Sequence, residues 1–157
     1  MTETTENPRT VHRVSHPDDG VDVGAIGLGI KVRLTGADTK GAYSLFEYIV
    51  PPGLGGPPTH IHTREDEMFI CTLGRVNVEL DGQEHVLDVG CSLLMPRGVP
   101  HMFHNPYETE ARVVAVVSPP GLENYYHGLS QLPPGPRDML LVAEVMTKFG
   151  LCVVKKD

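Results

Sequence analysis

His60-Ile61-His62-Thr63-Arg64-Glu65-Asp66-Glu67 is the stretch on which the reading of this chain turns. In a strand, residues i and i+2 point to one face about 6.7 Å apart, so the imidazoles of His60 and His62 can converge on one ion. Glu67 lies five residues beyond His62, an odd separation that a continuous strand would turn to the opposite face. The polar run Thr63-Arg64-Glu65-Asp66 supplies a turn, after which Glu67 opens a new strand and again faces inward. Glu65 and Asp66 read as loop charges. A fourth donor, His101, follows the turn-rich Pro96-Arg97-Gly98-Val99-Pro100. Three imidazoles and one carboxylate form a borderline-hard donor set, suited to Fe, Mn, Ni, Co, Cu or Zn more than to Ca or Mg.

On either side of this stretch the pattern is that of short strands. Ile30, Val32 and Leu34 alternate with Lys31 and Arg33, and Tyr43 to Val50 is rich in aromatic and β-branched residues. Val76, Val78 and Leu80 alternate with polar residues and lead into Asp81-Gly82, a two-residue hairpin signal because both positions need positive φ. A return strand over 83–89 and further candidates at 93–95, 101–104 and 112–118 follow. Turn signals about every ten residues fit an all-β sandwich or barrel. After Ser118-Pro119-Pro120-Gly121 the period changes. Leu122, Tyr125, Tyr126 and Leu129 share one face of a short helix. Asp138 can cap a second helix, in which Met139, Val142, Ala143 and Met146 repeat the spacing until Gly150, and Leu151 to Val154 form a terminal strand. The expected organisation is a disordered polar tail over 1–10, one β domain over 11–120, and helices with a terminal strand packed on it over 121–157. Val142, Met146 and Phe149 read as packing residues.

The 157 residues suit one domain able to bury a core without disulfides, and 17 Gly with 14 Pro supply its punctuation. A formal charge of −7, with no Lys/Arg run, argues against nucleic-acid or anionic-membrane partners. There is no apolar run approaching the roughly 18 residues of a membrane span. The opening MTETTENPRT lacks the basic and apolar regions of a signal peptide, so a cytoplasmic location is expected. Cys71, Cys91 and Cys152 fit neither a disulfide framework nor a zinc clip.

Residues 53–105 resemble the two signature motifs of the cupin superfamily. The first is present as His60-x-His62-x4-Glu67-x6-Gly74, with its leading glycine displaced among Gly53, Gly55 and Gly56. The second is present as Gly90-x5-Pro96-x-Gly98-x2-His101-x3-Asn105, with Cys91 where many relatives carry an acidic residue. The resemblance implies a single jelly-roll-like antiparallel β-barrel with one divalent transition metal at its mouth, held by His60, His62, Glu67 and His101. In size and layout the chain is similar to the small quercetin-dioxygenase-like cupins and to the tailoring cyclases of natural-product pathways. The function this implies is a metal-dependent dioxygenase that uses O2 on an enolisable or hydroxylated aromatic or polyketide-like small molecule. A non-redox cyclase or isomerase with the same ligands is the alternative, and a small-molecule-binding module without catalysis a further one. Glu67 has an expected second role as a catalytic base. Phe46, Tyr48, Phe69, Cys71 and Phe103, with Met95 and Met102, are expected to wall an apolar pocket, and His104 is a candidate rim contact. The lack of a Lys/Arg cluster near the motifs disfavours a phosphorylated substrate. His85 is expected to be solvated, and a homodimer paired through barrel edges is the expected assembly.

Overall fold

The computed structural model describes residues 14–24, 27–133 and 138–155. The expected tail over 1–10 lies outside them. In chain order the described strands are β1 Val21–Asp22, β2 Gly29–Leu34, β3 Ser44–Val50, β4 His60–His62, β5 Asp66–Leu73, β6 Arg75–Leu80, β7 Gln83–Asp88, β8 Ser92–Met95, β9 His101–His104 and β10 Ala111–Ser118. Helices α1 Leu122–Ser130 and α2 Met139–Lys148 follow, and β11 Leu151–Val153 ends the series.

The strands form two antiparallel sheets, in the orders β1-β2-β3-β10-β5-β8 and β11-β4-β9-β6-β7. Their alternation turns one face of each inward. Ser44, Phe46, Tyr48 and Val50 of β3, Glu67, Phe69 and Cys71 of β5, and Ala111, Val113, Ala115 and Val117 of β10 are all buried. Burying a large apolar side chain contributes about 1.5–3 kcal/mol, so this shared inner face holds the sheets together. Among the described residues no ladder joins the two sheets, so the jelly roll is not closed there into a hydrogen-bonded barrel.

Asp81 and Gly82 both take positive φ, 51° and 75°, and register β7 on β6 with Leu80 opposite Gln83. Leu122, Tyr125, Tyr126 and Leu129 form the buried face of α1. Asp138 caps α2, its carboxylate accepting from the Leu140 N–H at 2.9 Å. Beyond α2, β11 pairs with β4, placing Leu151 opposite His62 and Val153 opposite His60. The two-residue β1 is too short to leave a periodic signal. Neither described helix is long and apolar enough to cross a membrane.

Candidate metal centre and its cavity

Three strands of two sheets bring the candidate donors together. β4 carries His60 and His62, its neighbour β9 carries His101 directly opposite His60, and β5 of the facing sheet carries Glu67. All four side chains are buried. The turn before β9 is tied to β4, because the Gly98 N–H donates to the His62 carbonyl at 2.8 Å. Gly98 makes that turn at a φ of 79°, which an L side chain adopts only under strain.

His60, His62 and His101 each offer a ring nitrogen within 4.8 Å of the others, a group able to hold a metal ion. His60 donates Nδ1–H to the Pro58 carbonyl at 2.8 Å, and His101 donates Nδ1–H to the Val99 carbonyl at 3.0 Å. In a neutral ring each such bond leaves Nε2 as a bare lone pair. The Nε2 atoms of His60 and His62 face each other at 3.3 Å, and buried His101 Nε2 has no hydrogen-bond partner. Glu67 Oε2 lies 3.6 Å from His62 Nε2 and 3.5 Å from His101 Nε2. Donors at about 2.1 Å from a common ion, 90–110° apart, stand about 3.0–3.4 Å from each other. The His60–His62 separation falls within that range and the two Glu67 separations lie just beyond it, so the converging donors are placed to close on a divalent transition cation.

Burial and the two neighbouring carboxylates set the electrostatics of the donors. Burial, reinforced by His101 and His62, pushes the His60 pKa down to about 3, so the ring is neutral. Burial also opposes charge on His62, but Glu65 and Glu67 outweigh it and raise its pKa. For Glu67, burial favours the neutral acid, yet the three imidazoles outweigh it and hold the carboxyl below its usual range.

Glu65 departs from the loop-charge reading. It is buried, and its Oε2 lies 3.6 Å from His62 Nδ1, the ring nitrogen that has no carbonyl partner. Asp66 keeps to the surface, where it pairs with Arg97 at 3.0 Å. The sequence signal for Glu65 was weak, since the parity of a four-residue turn is not readable.

A cavity opens beside the donors. Its wall includes His60, His62, Glu67, Phe103, Leu28, Ile30, Leu54, Tyr125, Tyr126, Met146 and Leu151. Of the expected pocket residues, Phe103 is there. Phe46, Tyr48 and Phe69 sit behind that wall in an aromatic core, with Tyr48 and Phe103 stacked at 5.9 Å between ring centroids. Tyr48 still reaches the site, since its hydroxyl donates to Glu67 Oε1 at 3.1 Å. Cys71 has the inward parity but lies four residues along β5 from Glu67, about 13 Å at strand rise, with Sγ near the Leu73 and Gly74 carbonyls. His104 points to the outer face of β9, because it lies an odd three positions beyond His101, and it pairs there with Glu84 at 2.9 Å. Met95 is buried in the core and Met102 is half-buried on the outer face of β9. His85, expected in solvent, is half-buried on β7 opposite Val78.

Periodicity does not reveal that Tyr125, Tyr126 and Met146 line a cavity, because a helix face that packs and one that walls a pocket share a single period. The loop before β4 completes the wall. At Gly56 an added Cβ would stand 1.7 Å from the Phe103 carbonyl oxygen, so only glycine lets this loop lie on β9.

Comparison with known proteins places the fold. Residues 46–117 match the Cupin_2 family, described as a cupin domain. Protein SchB of Streptomyces halstedii is 38% identical over 60 residues, 38% of this chain and 44% of that protein. The chain spans 44% to 60% of the length of the curated relatives it matches. The polyketide cyclase RemF from Streptomyces resistomycificus superposes with a TM-score of 0.58 at 25% identity, over 68% of this chain and 78% of RemF. Ectoine synthase from P. lautus superposes at 0.61 with 20% identity, over 81% and 94% of the two chains, a likeness of fold alone. The motifs, the facing sheets and these likenesses agree: residues 46–117 are a cupin domain, and the strands around them complete a cupin fold.

Proposed function

We propose that this cupin is a metal-dependent enzyme that takes an uncharged, enolisable aromatic or polyketide-like ketone and cyclises or isomerises it without redox chemistry. The observation that carries the reading is the cavity wall. Imidazoles and one carboxylate are set among apolar and aromatic side chains, and no Lys or Arg lines it among the described residues. Such a wall selects a neutral, flat molecule over a phosphate or a polar acid. His60, His62, His101 and Glu67 would hold the cation, which when bound supplies Lewis-acid polarisation of a carbonyl. The chain's own residues do the rest. His60 and His101 are fixed by backbone carbonyls, so their rings need no reorganisation when a ligand arrives. Glu67 turns Oε2 to the imidazoles and Oε1 to Tyr48, and it is the carboxylate we assign to removing the proton next to the polarised carbonyl. The likeness to a polyketide cyclase supports the choice of chemistry.

Dioxygenase action on the same class of molecule is the second reading, supported by the three-imidazole, one-carboxylate donor set. One experiment separates the two. Protein loaded in turn with Zn, Mn, Fe, Co or Ni is incubated with an aromatic 1,3-dicarbonyl under strict anaerobiosis and then in air. Turnover without O2 is the expected result. An absolute requirement for O2 would replace the cyclase reading with the dioxygenase one, and inactivity with every metal in both atmospheres would overturn both.

A further inference from the structure

Tyr126 lines the cavity, and its hydroxyl lies 2.6 Å from that of Tyr48, which in turn lies 3.1 Å from Glu67 Oε1. Each phenol has one proton to donate and lone pairs with which to accept, whereas an ionised carboxylate only accepts. The single proton of Tyr48 is therefore committed to Glu67. Tyr126 must be the donor in the bond between the two tyrosines. Its proton is committed as well, and what its oxygen can offer a ligand in the cavity is a lone pair. Leu28, Ile30, Leu54 and Phe103 on the same wall carry no donor or acceptor side chain, and Tyr125 carries the wall's other phenol.

We propose that Tyr126 is a specificity-determining acceptor: the cavity selects ketones that carry a phenolic or enolic O–H away from the carbonyl, and it disfavours counterparts whose oxygen can only accept. Tyr48, set behind the cavity wall, is the positioning residue that fixes this polarity. The inference rests on the carbonyl-directed reading above and narrows its substrate class to hydroxylated aromatic or enolic ketones.

The test is isothermal titration of the zinc-loaded protein with 3′- and 4′-hydroxyacetophenone and with their methyl ethers, with zinc content measured alongside. In these probes the hydroxyl cannot chelate together with the carbonyl. The wild type is expected to bind at least one hydroxyl compound about tenfold more tightly than its ether, the worth of one hydrogen bond. Tyr126→Phe should abolish that preference while zinc content and affinity for the ethers hold. Tyr48→Phe should free the Tyr126 proton to turn toward the cavity, so that the ether binds about tenfold more tightly than it does to the wild type. A merely structural role for Tyr48 would not produce that gain. Equal binding of hydroxyl compound and ether by the wild type, equal losses for both with Tyr126→Phe, or no gain with Tyr48→Phe would each overturn the proposal and leave the carbonyl-directed reading standing. Binding of none of the four ketones by the zinc-loaded protein would overturn both.

Discussion

His62 differs from its two partner histidines in how its second ring nitrogen is held. His60 and His101 each lean on a backbone carbonyl, whereas His62 Nδ1 faces the buried carboxylate of Glu65. An outer carboxylate on a ligating imidazole orients the ring and raises its basicity, typically worth about 10–100-fold in metal affinity. Glu65→Gln is therefore expected to weaken zinc binding about tenfold or more, measured by competition with a chromogenic chelator. Asp66→Asn, at the exposed pair with Arg97, should leave it unchanged. Replacing a donor outright is harsher: His101→Ala should remove most of the bound metal measured after gel filtration, while His85→Ala on β7 should not. Equal behaviour of His101→Ala and His85→Ala would refute the donor assignment. At this scale the sequence displayed which face a strand residue takes but not how deep along the strand it lies. Parity brought His60, His62, His101 and Glu67 inward to one place, and it also turned Cys71 inward, far from that place. Glu65 was illegible because a turn has no fixed parity.

Elements matter here through the company they keep. β4 is three residues long yet carries two of the imidazoles, and its outer neighbour β11 arrives from the far end of the chain. The bond from the Val154 N–H to the Thr59 carbonyl, at 2.9 Å, and that from the Thr63 N–H to the Gly150 carbonyl, at 2.9 Å, bracket the pairing. The C-terminal strand is thus part of the site's frame. Leu151 is fully buried beside the imidazoles and forms part of the cavity wall. Its truncation in Leu151→Ala should cost about 2–5 kcal/mol in urea unfolding, as for other buried Leu to Ala changes. The same change should loosen β4 and lower metal affinity, so a stable variant with unaltered zinc binding would count against the framing role. Alternation and the Asp81-Gly82 turn made nearly every strand legible, and the change of period made the helices so. Which strands pair was not legible in periodicity, because partners such as β4 and β11 are brought together by packing that leaves no local signature.

Across the whole molecule the helical layer must be held against the two sheets if Tyr125, Tyr126 and Met146 are to wall the cavity. Glu123 makes that connection at the start of α1. Its carboxylate accepts from the Gly36 N–H at 2.9 Å, from the Gly121 N–H at 3.0 Å, and from the Ser44 hydroxyl at the head of β3. Burial alone would raise the Glu123 pKa, but the hydrogen bonds from Gly36, Ser44 and the α1 backbone outweigh it and hold the carboxyl below its usual range. A folded-state pKa below the unfolded one means that the ionised form is the one the fold favours. The resulting stability is fully present above the ordinary glutamate pKa of about 4.3 and is lost as pH falls through the lower folded value. Glu123 is partly open to solvent, so screening trims its worth to about 1 kcal/mol, or about 2–4 °C in thermal midpoint for a chain of this size. Glu123→Gln should therefore lower the midpoint at pH 7 by about that much, and the gap from wild type should close as the pH is taken toward 3. Because every other carboxylate is common to both proteins, their acid unfolding cancels in the difference. A gap that stays constant from pH 7 to pH 3 would mean that the charge of Glu123 does not tie the helices to the sheets.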